Sequence, residues 1–346
     1  MAKPKAIVVG AGAGGSVAAM VLAEAGHDVV IFEKGDNWFD DLTKAAPGTK
    51  FSSDEIKGLR SFAKPDPDAE PRTYRWHESD AQSRYVGAVQ DLPQTVGGGT
   101  VHWDAKTPRF WDIDFQKRTL LGAVPGADVI DWPFDYAEIS PVYDDVEKLI
   151  GVAGDTTQIA AQPTLQHSPR SKPLPMPAGP PQLASLLAAD GCRKLDPPLH
   201  PFLAPMAINS VAYEGRPACN NCGQCSGYGC PILARVGALA PLRRAVVAGA
   251  EVRPRACVTK VNVSGRKATG VTWVDDNGRS HTESADIVVM ACLAIETARL
   301  AKLSALPDPH DTVGRHFMQH WFTDGTGIFI DQKLHGLRGR STTHVA

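Results

Sequence analysis

An α/β architecture with a doubly wound, mostly parallel sheet is predicted by two segments and by what lies between them. Residues 5–33 read KAIVVGAGAGGSVAAMVLAEAGHDVVIFE: an apolar strand, a glycine turn, a helix and a second apolar strand. Residues 285–304 read ADIVVMACLAIETARLAKLS, again strand, small-residue turn and helix. The chain between them is loop-rich and interrupted by prolines, the pattern of a sheet domain split by an insertion.

The first segment carries a ligand signature. Gly10, Gly12 and Gly15 fall on the G-x-G-x-x-G spacing, where the first turns the chain tightly, the second admits a pyrophosphate and the third lets helix approach strand. Ala13 opens the helix whose first amides face the phosphates. Glu33 closes the second strand, where a carboxylate can accept both ribose hydroxyls and would repel a 2′-phosphate, so FAD or NAD fits and NADP does not. Residues 6–23 carry no charge and follow Lys3 and Lys5, so hydropathy alone would read a signal peptide or a membrane span. Gly10, Gly12, Gly14 and Gly15 oppose both, since each would cost an apolar helix roughly 1 kcal/mol against alanine.

The 346 residues, 43% hydrophobic, are enough for about two domains. A net charge of −2 provides no electrostatic footprint for nucleic acid or an anionic membrane surface. No later segment reaches transmembrane length without a charge, and no repeat is visible. Seven cysteines, four of them within 219–230, resemble a metal or redox element more than a secreted disulfide framework, which makes the cytoplasm the default compartment.

Taken in order, residues 36–85 are polar and broken by Pro47, Pro65, Pro67 and Pro71, which predicts a loop-rich excursion followed by a strand near 85–89. Residues 133–149, PFDYAEISPVYDDVEKL, predict two short helices, each entered through a proline or acid-capped turn. Residues 163–205 are proline-rich and extended, with one helix at 182–189. A helix carrying Arg235, Arg243 and Arg244 spans 232–248, and strands recur at 251–253, 258–263, 268–274 and 286–290 before a helix at 295–303. The dinucleotide domain is thus expected over 1–150 and 232–320, with the insertion at 151–231 and the start of a second, α+β domain at 321–346.

A second glycine loop, VGGGTVHW at 96–103, separates flavin from nicotinamide. Gly97, Gly98 and Gly99 permit a backbone whose amides can point at a cofactor, with Thr100 and His102 beside them. Together these residues resemble the glucose-methanol-choline (GMC) family of FAD-dependent oxidoreductases across essentially the whole chain. The family's glycine turn and acid are similar to Gly10–Glu33, its G-G-[SG]-[ST]-x-x-W to Gly98, Gly99, Thr100 and Trp103, and its D-W-P-x-x-Y to Asp131, Trp132, Pro133 and Tyr136. Its A-G-A-I-E-T-P-R-L is similar to Ala291–Leu300 and its V-G-R-N-F-M-x-H to Val313–His320. Leu293 stands where the family has glycine, Ala298 where it has proline and His316 where it has asparagine.

The resemblance implies a Rossmann-like FAD-binding domain, with ADP on Gly10–Glu33 and against the backbone near Val258, Ala291 at the returning turn, and the isoalloxazine toward Gly98–Trp103. In some sugar oxidases of the family a histidine placed like His102 is bonded covalently to the flavin; a packing or hydrogen-bonding role is the alternative. The implied reaction moves hydride from a carbinol carbon to flavin N5 while a base takes the hydroxyl proton. Relatives supply that base as a histidine near their C-terminus, so it is expected beyond Ala346 and no catalytic residue is assigned; His316 and His320 read as structural.

Cys219, Cys222, Cys225 and Cys230 form C-x2-C-x2-C-x4-C followed by Pro231, one residue longer than the bacterial ferredoxin run. An iron–sulfur cluster, zinc, or no metal, with either small buried thiols or a disulfide, are the readings this spacing leaves open. The loop also resembles that of gluconate, sorbitol and glucose dehydrogenase flavoprotein subunits, which implies a dehydrogenase passing electrons to a cytochrome c or similar carrier subunit, and export on a signal-bearing partner. A disulfide reductase is excluded because the first cysteine is Cys192. An inactive flavin-binding fragment and an NAD-linked flavoprotein reductase are the rival expectations.

Overall fold

The computed structural model describes residues 3–50, 73–77, 79–85, 93–163, 167–225, 227–318, 325–336, 338–340 and 343–346. Residues 86–89 of the expected strand and His320 lie outside the described residues. The strands are β1 (Lys5–Val9), β2 (Asp28–Phe32), β3 (Thr73–Tyr74), β4 (Arg84–Tyr85), β5 (Phe202–Leu203), β6 (Glu251–Arg253), β7 (Cys257–Ser264), β8 (Lys267–Val274), β9 (Ser280–Ser284), β10 (Ile287–Met290) and β11 (His344–Val345). The helices are α1 (Ala13–Glu24), α2 (Asp112–Phe115), α3 (Lys117–Leu121), α4 (Tyr136–Ile150), α5 (Thr156–Ala160), α6 (Leu183–Arg193), α7 (Leu239–Val247) and α8 (Ala294–Leu303). One compact unit comprises residues 1–103, 227–231 and 237–314, and the other 104–226, 232–236 and 315–346. The chain passes from the first to the second between Trp103 and Asp104, whereas the sequence put that change near 150.

In the first unit a parallel sheet runs in the order β10-β1-β2-β6. Alternate residues of a strand share a face, and Ile7, Val9, Val30 and Phe32 pack on one side with Ala256, Val261, Val271 and Leu300. Ala6, Val8, Val29 and Ile31 are buried as well, and α1 packs on β1, β2 and β10 through Gly15, Ser16, Ala19, Met20 and Ala23, which recur at helical spacing. The helix stops at Gly26, whose φ of +90° ends the helical turn. Strands β7, β8 and β9 form a separate antiparallel meander, not a resumption of the parallel alternation. The two-residue turn at Gly265–Arg266 forces antiparallel pairing, since parallel neighbours need a crossover. The expected helix over 232–248 begins only at Leu239: Leu233 has φ +54° and Arg235 pairs with Ile208 as an isolated bridge.

In the second unit α4 is one continuous helix, where the sequence predicted two. Asp135 caps it by accepting the Glu138 amide at 3.0 Å, and Pro141 sits within it, removing a single backbone donor. Tertiary bonds hold the helix through that gap. Arg109, with 1% of its side chain exposed, bonds Glu147 through Nε and Nη2 at 2.9 and 2.7 Å and Asp144 through Nη2 at 2.5 Å. Arg170 adds a bond to Glu147 at 2.9 Å and Ser171 one to Asp144 at 2.6 Å. Burial works against the Arg109 charge, but the bonds to Glu147, Asp144 and Tyr136 outweigh it and raise its pKa. Burial likewise works against ionised Asp144, but Ser171 and Arg109 hold its carboxyl below the usual range. That depressed value contributes stability present above the ordinary carboxylate range and lost as pH falls through the folded pKa. Replacing Arg109 with methionine strands Asp144 without its ion partner and is expected to cost about 3 kcal/mol in urea denaturation at neutral pH. The difference from the parent should shrink in acid.

Candidate functional site

Three turns meet at the carboxyl edge of the parallel sheet. The first follows β1: Gly10 has φ +101° and donates its amide to Phe32 O at 2.7 Å. A Cβ on Gly15 would lie 1.9 Å from Gly10 O, so only glycine lets α1 seat here. The second is the loop of residues 97–99, whose Gly97 amide donates to Ala11 O at 2.9 Å and whose Gly98 would place a Cβ 2.9 Å from Gly12 Cα. The third is Ala291, which donates its amide to Val9 O at 2.9 Å and whose carbonyl lies 2.6 Å from a Cβ built on Gly10.

Against this, Gly12, Gly14 and Gly99 have open space where a side chain would stand. Gly12 is the N-cap of α1 and supplies no side-chain cap, while Ala13 is exposed at its first turn. An uncapped helix N-terminus beside open volume is the donor set and shape that a pyrophosphate requires.

Glu33 stands at the end of β2 with 7% of its surface exposed. Its Oε2 accepts the Ala11 amide at 3.0 Å and its Oε1 the Gly35 amide at 3.0 Å. Burial pushes its carboxyl above the usual range, and the two amides pull back. Glu33 therefore braces the glycine turn, a role the ribose expectation did not contain, and each oxygen retains a lone pair for a further donor. Glu33 O accepts the Ala256 amide at 2.9 Å, which holds the start of β7, and so Val258, near the acid.

Other expected residues are placed differently. Thr100 donates its hydroxyl to Gly97 O at 2.8 Å and accepts the Ala238 amide at 2.9 Å, so it clips the loop to the entry of α7 instead of offering its hydroxyl outward. A Thr three residues after a left-handed glycine was the sequence signal for that clip. His102 and Trp103 are half-buried, and His102 O accepts the Gly227 amide at 2.9 Å. Cys219, Cys222 and Cys225 belong to the second unit and Cys230 to the first. Cys219 Sγ accepts the Asn221 amide at 3.3 Å, no disulfide joins any of the seven cysteines, and among the described residues no group of three or more Cys, His, Asp or Glu is placed to hold a metal. The loop as arranged does not fit a metal centre.

A parallel sheet with glycine turns at its carboxyl edge defines an FAD-binding α/β fold. Residues 8–41 match a family model described as an NAD(P)-binding Rossmann-like domain, and residues 207–322 match GMC oxidoreductase. The chain is 29% identical to the gluconate 2-dehydrogenase flavoprotein of Pantoea cypripedii, over 91% of this chain and 55% of that protein. It is 30% identical to paromamine 6′-oxidase of Streptomyces fradiae, over 90% of this chain and 51% of the other. The structure of pyridoxine 4-oxidase from Mesorbium loti superposes with a TM-score of 0.51 at 18% identity, over 90% of this chain and 53% of that one, a likeness of fold. The chain is similar to GMC oxidoreductases, with residues 207–322 matching that family, and it spans about half the length of the curated relatives it matches. Among the described residues no helix is long and apolar enough to cross a membrane.

Leu293 caps α8 with φ +73° and ψ 157°, a backbone region that only glycine occupies without strain. Its side chain is half exposed and packs little. Leu293→Gly is expected to raise stability by about 1 kcal/mol in a thermal melt, the relief of strain exceeding the added chain entropy.

Proposed function

We propose that this chain is the FAD-binding part of an oxidoreductase that acts on the CH–OH group of a small alcohol, polyol or sugar and passes the electrons to a carrier. The meeting of three turns at Gly10–Gly12 supports FAD over a shorter ligand, because an elongated dinucleotide needs backbone donors from separate loops along one edge. Relatives named for gluconate, 2-methyl-1,2-propanediol and paromamine support a hydroxylated substrate. FAD when bound supplies the hydride acceptor and can release electrons singly.

The chain's own residues bind and orient. The amides at the start of α1 receive the pyrophosphate, Glu33 accepts the ribose hydroxyls through its remaining lone pairs, and the backbone of Gly98 and Gly99 lies toward the ring system. No residue of this chain is assigned as the base. A carrier such as a cytochrome c is supported by the likeness of the cysteine loop to dehydrogenase flavoprotein subunits. No electron path is drawn through Cys219–Cys230, whose claim to an iron–sulfur cluster rests on spacing alone.

Gly12 and Gly15 separate ligand binding from folding. Gly12→Val adds a side chain in open space at an extended N-cap, so the melting temperature of the FAD-free chain should hold while FAD affinity falls about tenfold or more, read by flavin fluorescence quenching. Gly15→Ala, driven into Gly10 O, should instead lower the melting temperature itself. Unchanged FAD affinity in Gly12→Val would sink the assignment.

A further inference from the structure

The second unit holds a cavity of about 380 Å³, at the small end of ligand pockets, and none of the residues that line it takes part in the dinucleotide site. We propose that it binds a small monocarboxylate with an apolar body, the carboxylate seated between Arg193 and His344.

The cavity is built by pairing and capping. Strands β5 and β11 are antiparallel with His344 opposite Leu203, and the Leu203 amide donates to Gln158 Oε1 at 3.2 Å, joining α5 to the strand edge. Leu186 and Arg193 lie seven residues apart on α6, on one helical face, and both line the cavity. The segment before β11 is fixed to the start of α6: the Thr343 amide donates to Ser185 Oγ at 3.0 Å and Thr343 Oγ1 accepts the Gln182 amide at 3.0 Å. That hydroxyl also lies 3.3 Å from His344 Nδ1. Thr343 Oγ1 keeps a second lone pair as well as its proton, so this contact serves either imidazole tautomer and the charged ring.

The charges then decide the ligand. Two carboxylates, Asp190 and Asp196, stand three residues from Arg193 on either side; Asp190 is engaged by Lys194 Nζ at 2.5 Å and also feels the Arg193 charge, and among the described residues Arg193 makes no ion pair with either. Burial, then the Arg193 charge, lowers the His344 pKa, so two groups of cationic type line one cavity and the permanent charge disfavours protonation of the imidazole. A single negative charge between them removes that conflict. One permanent cation and one titratable donor match a monocarboxylate, and Leu186, Leu203 and Pro181 provide an apolar wall for its body.

The test uses the full chain, with benzoate as the probe and NMR observation of the His344 ring alongside calorimetry. Benzoate should bind saturably and raise the His344 pKa, and affinity should increase from about pH 8 to about pH 5.5 as the imidazole charges. Arg193→Gln should weaken binding about tenfold and leave the melting temperature unchanged because the residue is exposed, and neutral benzamide should bind about tenfold more weakly than benzoate. His344→Gln should abolish the pH dependence. The proposal is overturned if millimolar benzoate does not saturate, if Arg193→Gln binds as tightly as the parent, or if acetate or benzamide matches benzoate.

Discussion

The carbonyl of Gly10 lies so close beneath Gly15 that a methyl group on the latter would come within 1.9 Å of it. That contact sets the depth at which α1 rests on β1 and β2, and thereby brings the helix N-terminus to the carboxyl edge of the sheet. The rest of the site is referenced to it. Gly97 bonds to Ala11 in the same turn, Ala291 abuts Gly10, and Glu33 draws the Ala11 amide onto its carboxylate. Had α1 stood a methyl's width higher, these short contacts could not all be made at once.

A buried carboxylate is an expensive brace unless its oxygens are bonded. Glu33 meets that condition with two backbone amides and still has acceptor capacity, so one side chain braces the turn and keeps lone pairs for a further donor. Leu293 shows the opposite economy. It occupies a glycine conformation at the entrance to α8, close in sequence to Ala291, and the surrounding strand and helix hold it there. The second unit relies on a different device: Arg109, Asp144, Glu147 and Arg170 balance two positive against two negative charges and carry α4 across Pro141.

Much of the first unit was legible in the residues. Strands β1, β2 and β10 and helices α1 and α8 have strong apolar periodicity and stand beside glycine or small-residue turns, so neighbouring residues suffice to define them. The antiparallel meander was less legible, because an apolar run predicts a strand without saying which partner it takes. The single helix across Pro141 and the late start of α7 are not legible for a related reason. Arg109 and Ile208 are distant in sequence from the segments they hold, and no local pattern reports them.

The sequence alone determined that a dinucleotide turn exists, because glycine spacing, helix and acid lie within 29 consecutive residues and follow from backbone sterics. Only the tertiary structure decided what each polar side chain does there: that Glu33 braces the turn, that Thr100 clips the second loop, and that no three Cys, His, Asp or Glu among the described residues are placed to hold a metal. A hydrogen bond depends on distance and angle between groups that the chain brings together only on folding, so composition and spacing name the candidates and geometry assigns their work.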